Sequence, residues 1–267
     1  MGTYVDIGGI KIWFDEEGSG DPLVLLHGGL VTNATWGAQL PAFAERYHVF
    51  APERRGHGHT PDVDGPFSFE DMATDAIGFL ETVVGAPAHL VGWSDGGTLA
   101  LLVAIRRPDL VRKFVSMGAL YNTQGNAPEA EGMIEHMDPD APDMAMFKEM
   151  YEASSPDGGD HWPVVVRKLV EMWLREPDIS IDELGRIAVP ALIMSGDDDM
   201  VRLDHTVQIY HAIPGAELAV VPGTSHAVLM EKPELVNTII LDFLTKEPTP
   251  TMMPMRRTAQ AGTELAG

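Results

Sequence analysis

Short runs of apolar residues alternate with longer stretches in which apolar side chains recur every three or four positions. That rhythm predicts βαβ units and a mostly parallel sheet. Tyr4–Ile7 and Ile10–Asp15, on either side of Gly8-Gly9, predict an opening hairpin. Leu23–Leu26 is a compact strand, followed by an expected helix over Ala34–Arg46, a strand over His48–Ala51 and a Gly/His/Pro-rich loop from Pro52 to Pro66. Met72, Ile77, Leu80, Val83 and Val84 fall at helical spacing and predict a helix over Phe69–Val84. Ala88–Trp93 is the next strand, Gly96–Arg107 a helix closed by Pro108, and Phe114–Met117 a further strand.

The rhythm then stops. Between Tyr121 and Gly185, about 65 residues, helical spacing and methionines dominate and no strand pattern is found, which is more chain than a connection needs. It resumes with Ala191–Ser195 (strand), Asp204–Ile213 (helix), Glu217–Val221 (strand) and Pro233–Leu244 (helix). The pattern therefore predicts a doubly wound α/β core over residues 1–120 and 186–246, with a helical insertion at 121–185. A tail rich in Pro, Thr, Met and Ala, residues 247–267, is expected to be flexible and dispensable.

Composition changes the picture only at the margins. The 267 residues are 45% hydrophobic and 22% charged, ordinary values for a globular chain. A formal charge of −22 argues against a nucleic-acid partner, which would require clustered Lys and Arg. With no cysteine there is neither a disulfide nor a thiolate metal site. The N-terminal residues lack the basic and apolar regions of a secretory signal, and Asp6 stands where a myristoylation motif carries Ser or Thr. No apolar run is long enough for a bilayer. The expectation is a cytoplasmic protein whose partner is a small molecule, with no membrane or nucleic acid; self-association into a homo-oligomer is left open.

The chemistry enters with Gly92-Trp93-Ser94-Asp95-Gly96, a G-x-S-x-G pentapeptide placed between a strand and a helix. A sharp turn there exposes the Ser94 hydroxyl in a strained conformation, and a side chain at either glycine would strike the neighbouring elements. A serine hydroxyl needs a base, and the base needs an orienting carboxylate. In chain order, Ala191–Ser195 runs into Gly196-Asp197-Asp198-Asp199, and Val220-Val221 leads to Ser225-His226. Both stretches follow strands, where open α/β sheets gather their sites. His226 is the expected base, its rivals His205 and His211 lying within a predicted helix. The residues alone leave the choice among the three aspartates open. His27-Gly28-Gly29, after the buried strand, supplies a second loop of close backbone; the amides of Gly29 and Asp95 are the expected oxyanion donors, with Leu30 as the alternative to Gly29.

Taken together, Leu26-His27-Gly28-Gly29, Arg55-Gly56-His57-Gly58, Gly92 to Gly97, Ser195 to Asp199 and Thr224-Ser225-His226 resemble the α/β-hydrolase superfamily, over essentially Met1 to Leu244. The resemblance implies the α/β-hydrolase fold with a helical cap at 121–185, and Asp199 as the acid. Glu53 departs from the Asp more usual at its place. The elbow is similar to that of the valacyclovir hydrolase-like and esterase groups, with enol-lactonases, carbon–carbon bond hydrolases and cofactor-free haloperoxidases as neighbours. Ser94, where epoxide hydrolases and haloalkane dehalogenases carry Asp, points away from both.

The expected activity is cleavage of a small to medium apolar carboxylic ester through an acyl-enzyme on Ser94, His226 and Asp199, with no metal and no organic cofactor. Leu30, Trp36, Trp93, Met144 and Trp173 are the expected substrate contacts. The alternatives are a cofactor-free haloperoxidase or perhydrolase using the same triad, and a ligand receptor that retains it. A carbon–carbon bond hydrolase would need a polar pocket, for which Arg54 and Arg55 are the available cations. Asp95 has two readings: a partner for a substrate ammonium group, or a surface-facing residue stabilised by the helix dipole.

Overall fold

A computed structural model of the chain describes residues 2–246, 251–254 and 256. The strands are β1 (Thr3–Ile7), β2 (Ile10–Gly18), β3 (Asp21–Leu26), β4 (Tyr47–Pro52), β5 (Ala88–Trp93), β6 (Val111–Met117), β7 (Ala191–Gly196) and β8 (Glu217–Val221). They form one sheet in the order β1-β2-β4-β3-β5-β6-β7-β8. β2 pairs antiparallel with β1 and β4, and every other pairing is parallel. β3 shows why the central strands read as unbroken apolar runs: Leu23 and Leu25 join one buried cluster, Val24 and Leu26 the other. Both faces of a doubly wound sheet are covered, so both sets of side chains must be apolar.

Helices α1 (Leu40–Ala44), α9 (Val228–Glu231) and α10 (Pro233–Thr245) contribute Phe43, Val228, Val236 and Ile240 to one face. Helices α2 (Phe69–Phe79), α3 (Asp95–Arg106), α7 (Ile181–Leu184) and α8 (Leu203–Ala212) cover the other. Between β6 and β7 the chain leaves the sheet and forms α4 (Pro128–Glu135), α5 (Ala145–Ser154) and α6 (Trp162–Trp173), which sit over the C-terminal ends of the central strands. Among the contacts that fasten this insertion to the core, two involve buried or half-buried carboxylates. Glu176 accepts a hydrogen bond from the first amide of α2, that of Phe69, at 2.7 Å. Asp62, on the loop after β4, binds Lys168 at 2.7 Å and His161 at 2.8 Å.

Two expected helices differ in the structure. Ala34–Arg46 is a 3₁₀ turn at Asn33–Trp36 followed by the short α1, because Pro41 offers no amide and crowds the residue before it. Phe69–Val84 is α-helical only to Phe79; its last turn widens so that the Gly85 amide reaches the Leu80 carbonyl. The expected tail falls outside the described residues except for 251–254 and Arg256. The Arg256 guanidinium donates to the carbonyls of Ile213 at 2.6 Å and Ala216 at 3.0 Å and stacks over Tyr210. Among the described residues no helix is long and apolar enough to cross a membrane.

Candidate active site

β5 ends at Trp93 and α3 begins at Asp95, leaving Ser94 alone to make the turn at φ 57°, ψ −124°. A non-glycine residue holds such a φ only when its surroundings enforce it. Here the Ser94 amide donates to the Met117 carbonyl at 2.8 Å, and the Ser94 carbonyl accepts from Gly97 at 2.8 Å. The flanking glycines are sterically required: a Cβ at Gly92 would lie 2.0 Å from the Gly96 carbonyl oxygen, and one at Gly96 would lie 1.9 Å from that of Leu26.

His226, on the loop after β8, places Nε2 2.9 Å from Ser94 Oγ and Nδ1 2.7 Å from Asp199 Oδ1. Asp199 can only accept, so Nδ1 carries the proton and Nε2 is free to take that of Ser94. The Val201 amide also donates to Asp199 Oδ1, at 3.0 Å, and the carboxylate is 1% exposed. Trp93 Nε1 donates to the His226 carbonyl at 2.7 Å and fixes the loop that carries the base. The other two aspartates do different work. Asp197 accepts from the Thr224 amide, which holds its carboxyl below the usual range, while Asp198 faces solvent. Of the rival histidines, His205 is buried and accepts from the Tyr121 amide, and His211 is exposed.

The loop after β3 lies against the elbow, a Cβ at Gly28 falling 3.2 Å from that of Ser94. Its shape is set by His27, whose Nδ1 donates to the Gly28 carbonyl and whose Nε2 accepts from the Arg54 amide. Burial and the Arg54 charge push this imidazole's pKa well down, so it stays neutral. The Asp95 amide, first in α3, has no carbonyl a turn behind it. Among the described residues the Gly29 amide is bonded to no protein group either.

The Asp95 side chain is neither surface-facing nor free. It is buried, with Oδ2 3.1 Å from Arg54 Nη1 and Oδ1 accepting from Trp173 Nε1 of α6 at 3.0 Å. Arg54 Nη2 donates in turn to the Gly28 carbonyl at 2.6 Å. A substrate ammonium would meet a carboxylate already engaged on both oxygens. Arg55 is committed as well, in a two-point pair with Asp75.

A cavity of about 490 Å³ opens over Ser94 and His226, beneath the helical insertion. Of the expected substrate contacts, Leu30, Trp93, Met144 and Trp173 line it. Trp36 does not. It is fully buried in the core packed by α1, with Phe43 and Leu25, because the 3₁₀ turn directs it there. Sequence reasoning missed Phe69, Asn126, Phe147, Met200 and Val201, which also line the cavity. Met200 and Val201 directly follow Asp199 and could have been found from that adjacency; the others carry no local signal. Among the described residues no group of three or more His, Asp or Glu is placed to hold a metal ion.

Comparison with known proteins bears on the family and the fold. A model of the "Alpha/beta hydrolase family" matches residues 23–239. The chain is 26% identical over 256 residues to the (E)-2-((N-methylformamido)methylene)succinate hydrolase of Acinetobacter baylyi, covering 87% of this chain and 94% of that protein. It is 29% identical over 253 residues to the human serine hydrolase BPHL, covering 90% and 85%. The solved structure of Est816, described as an N-acyl homoserine lactone degrading enzyme, superposes with a TM-score of 0.74 at 24% identity, covering 90% of this chain and all of that one.

Proposed function

The chain belongs to the alpha/beta hydrolase family, and from that premise we propose that it is a serine hydrolase that cleaves carboxylic esters through an acyl-enzyme. What carries the reading is the unbroken hydrogen-bond chain from Asp199 through His226 to Ser94, ending on a hydroxyl held at a strained turn. His226 Nε2 takes the Ser94 proton as Oγ attacks the ester carbonyl. Asp199 stabilises the imidazolium, and the amides of Gly29 and Asp95 receive the oxyanion. The imidazolium then protonates the departing alcohol. Water, deprotonated by the same nitrogen, releases the acid and restores Ser94.

The apolar walls favour an acyl group of small to medium size, and flexible methionines let the cavity adapt to its shape. The Acinetobacter relative is named for a succinate derivative, a dicarboxylate. A cleft for such a substrate would need a cation, and both Arg54 and Arg55 are already paired. Ester cleavage is therefore favoured over chemistry on a polyanion.

The test is a side-by-side assay of wild type and Ser94→Ala on p-nitrophenyl esters of increasing acyl length. Wild-type turnover that falls by about 10⁴-fold or more in the variant is expected, with the preferred length reporting the depth of the cavity. Equal rates in both proteins would end the reading.

A further inference from the structure

We propose that the cavity selects substrates whose acyl group carries no charge, excluding both carboxylates and ammonium groups; this rests on the hydrolase reading above. Among the described residues that line the cavity there is no Lys or Arg. The one guanidinium close to the nucleophile belongs to Arg54, which is 6% exposed and spends Nη1 on Asp95 and Nη2 on the Gly28 carbonyl. A carboxylate entering the cavity would leave its water shell and meet no cationic partner among these residues.

The opposite charge fares no better. Asp95 is the buried acid of the cavity, and a free carboxylate there would draw an ammonium group. Arg54 already neutralises it, and Trp173 Nε1 occupies its second oxygen. Displacing either partner would strand a buried guanidinium or open the contact between α6 and the elbow. Thr98, Asn126 and His136 are the other polar groups on the wall besides the aspartates and the Ser94–His226 pair, and they suit an uncharged substituent. Asp138 and Asp143 stand exposed among the lining residues and, on a molecule of charge −22, oppose an approaching anion and favour the approach of a cation, but as hydrated surface carboxylates they give an ammonium group no desolvated partner beside Ser94.

Arg54 and Trp173 therefore act as specificity-determining residues through Asp95: they discharge the one buried carboxylate among the described lining residues. Neither element shows this alone. The three residues come from the loop after β4, the start of α3 and the end of α6, and they meet only in the folded chain.

The experiment compares three p-nitrophenyl esters with six-carbon acyl chains on the purified full-length protein: the hexanoate, the adipate monoester and the 6-aminohexanoate. Rates are taken net of spontaneous hydrolysis at pH 8, where a histidine ordinarily carries no charge. The expected result is Ser94-dependent turnover of the hexanoate, with kcat/KM for both charged esters lower by roughly 100-fold. Met133→Arg, which adds a cation at an exposed lining position, is expected to raise the adipate-to-hexanoate ratio about tenfold, the change produced by one partner worth about 1.4 kcal/mol. Charged esters turned over as fast as the hexanoate, or a ratio unmoved by the new cation, would overturn the inference and leave the hydrolase reading intact. No Ser94-dependent turnover of any ester would remove both.

Discussion

Three consecutive aspartates follow β7, and the direction of each carboxylate separates their roles. Asp199 turns inward to His226, Asp197 holds the Thr224 amide and Asp198 meets water. Asp199→Asn is expected to lower kcat by about 10⁴-fold while the fold is retained, because an amide can present a donor to Nδ1 and so favour the wrong tautomer. Asp198→Asn is expected to change kcat less than about twofold, as a solvent-facing substitution away from the reacting atoms. Steady-state kinetics of the two variants, with circular dichroism to confirm folding, checks both. Ser94 and His226 were legible in the sequence because chain order and strand ends constrain them together. Asp199 was not separable from its neighbours by residue type and came from family resemblance. Trp36 was misassigned because an aromatic residue near an oxyanion loop looks the same whether it lines a cavity or fills the core. Its spacing to Leu40 and Phe43, four and seven residues on, is the apolar stripe that marks the buried alternative.

At the level of elements, strands were read more faithfully than helices. A central strand declares itself by an apolar run that burial on both faces requires, whereas helix limits depend on single residues such as Pro41 and Gly85. The pairing of distant elements was not legible at all: Arg54 and Asp95 are 41 positions apart, and Asp62 and Lys168 are 106 apart. Asp62 holds Lys168 and His161 with a carboxylate only 7% exposed, so it is the principal ionic tie between α6 and the core. Asp62→Asn leaves the Lys168 ammonium without its counter-charge, and a loss of about 3 kcal/mol is expected. Urea unfolding measures the total. Hydrogen exchange over residues 121–185, faster in the variant while the sheet amides stay protected, would locate the loss in the insertion.

For the whole molecule, pH acts through histidines that folding buries without charge. Burial pushes the pKa of His57 down to about 3 and those of His89 and His205 down to about 4, and the same cause holds His27 well below its ordinary value. Each ordinarily titrates near 6.5, so the unfolded chain binds their protons first. Their contribution to stability is complete above that pH and is lost as the pH falls toward 4. At pH 5 each is expected to cost up to about 2 kcal/mol relative to pH 8. The urea midpoint should therefore drop between pH 7 and 5, before most carboxylates titrate; a midpoint that held constant or rose would contradict the assignment of these histidines as neutral.

The methionines of the cavity wall have one more consequence, which follows from sulfur rather than from shape. Met133, Met137, Met144 and Met200 line the cavity over Ser94 in a chain that has no thiol to be consumed first. Conversion of a thioether to its sulfoxide sets a polar, chiral group where an apolar chain is to lie. The pliancy that lets this wall mould itself to a substrate is thus also its redox weakness. Oxidative damage would degrade recognition while the nucleophile and its base remain chemically intact, and a sulfoxide reductase, rather than new synthesis, would restore it.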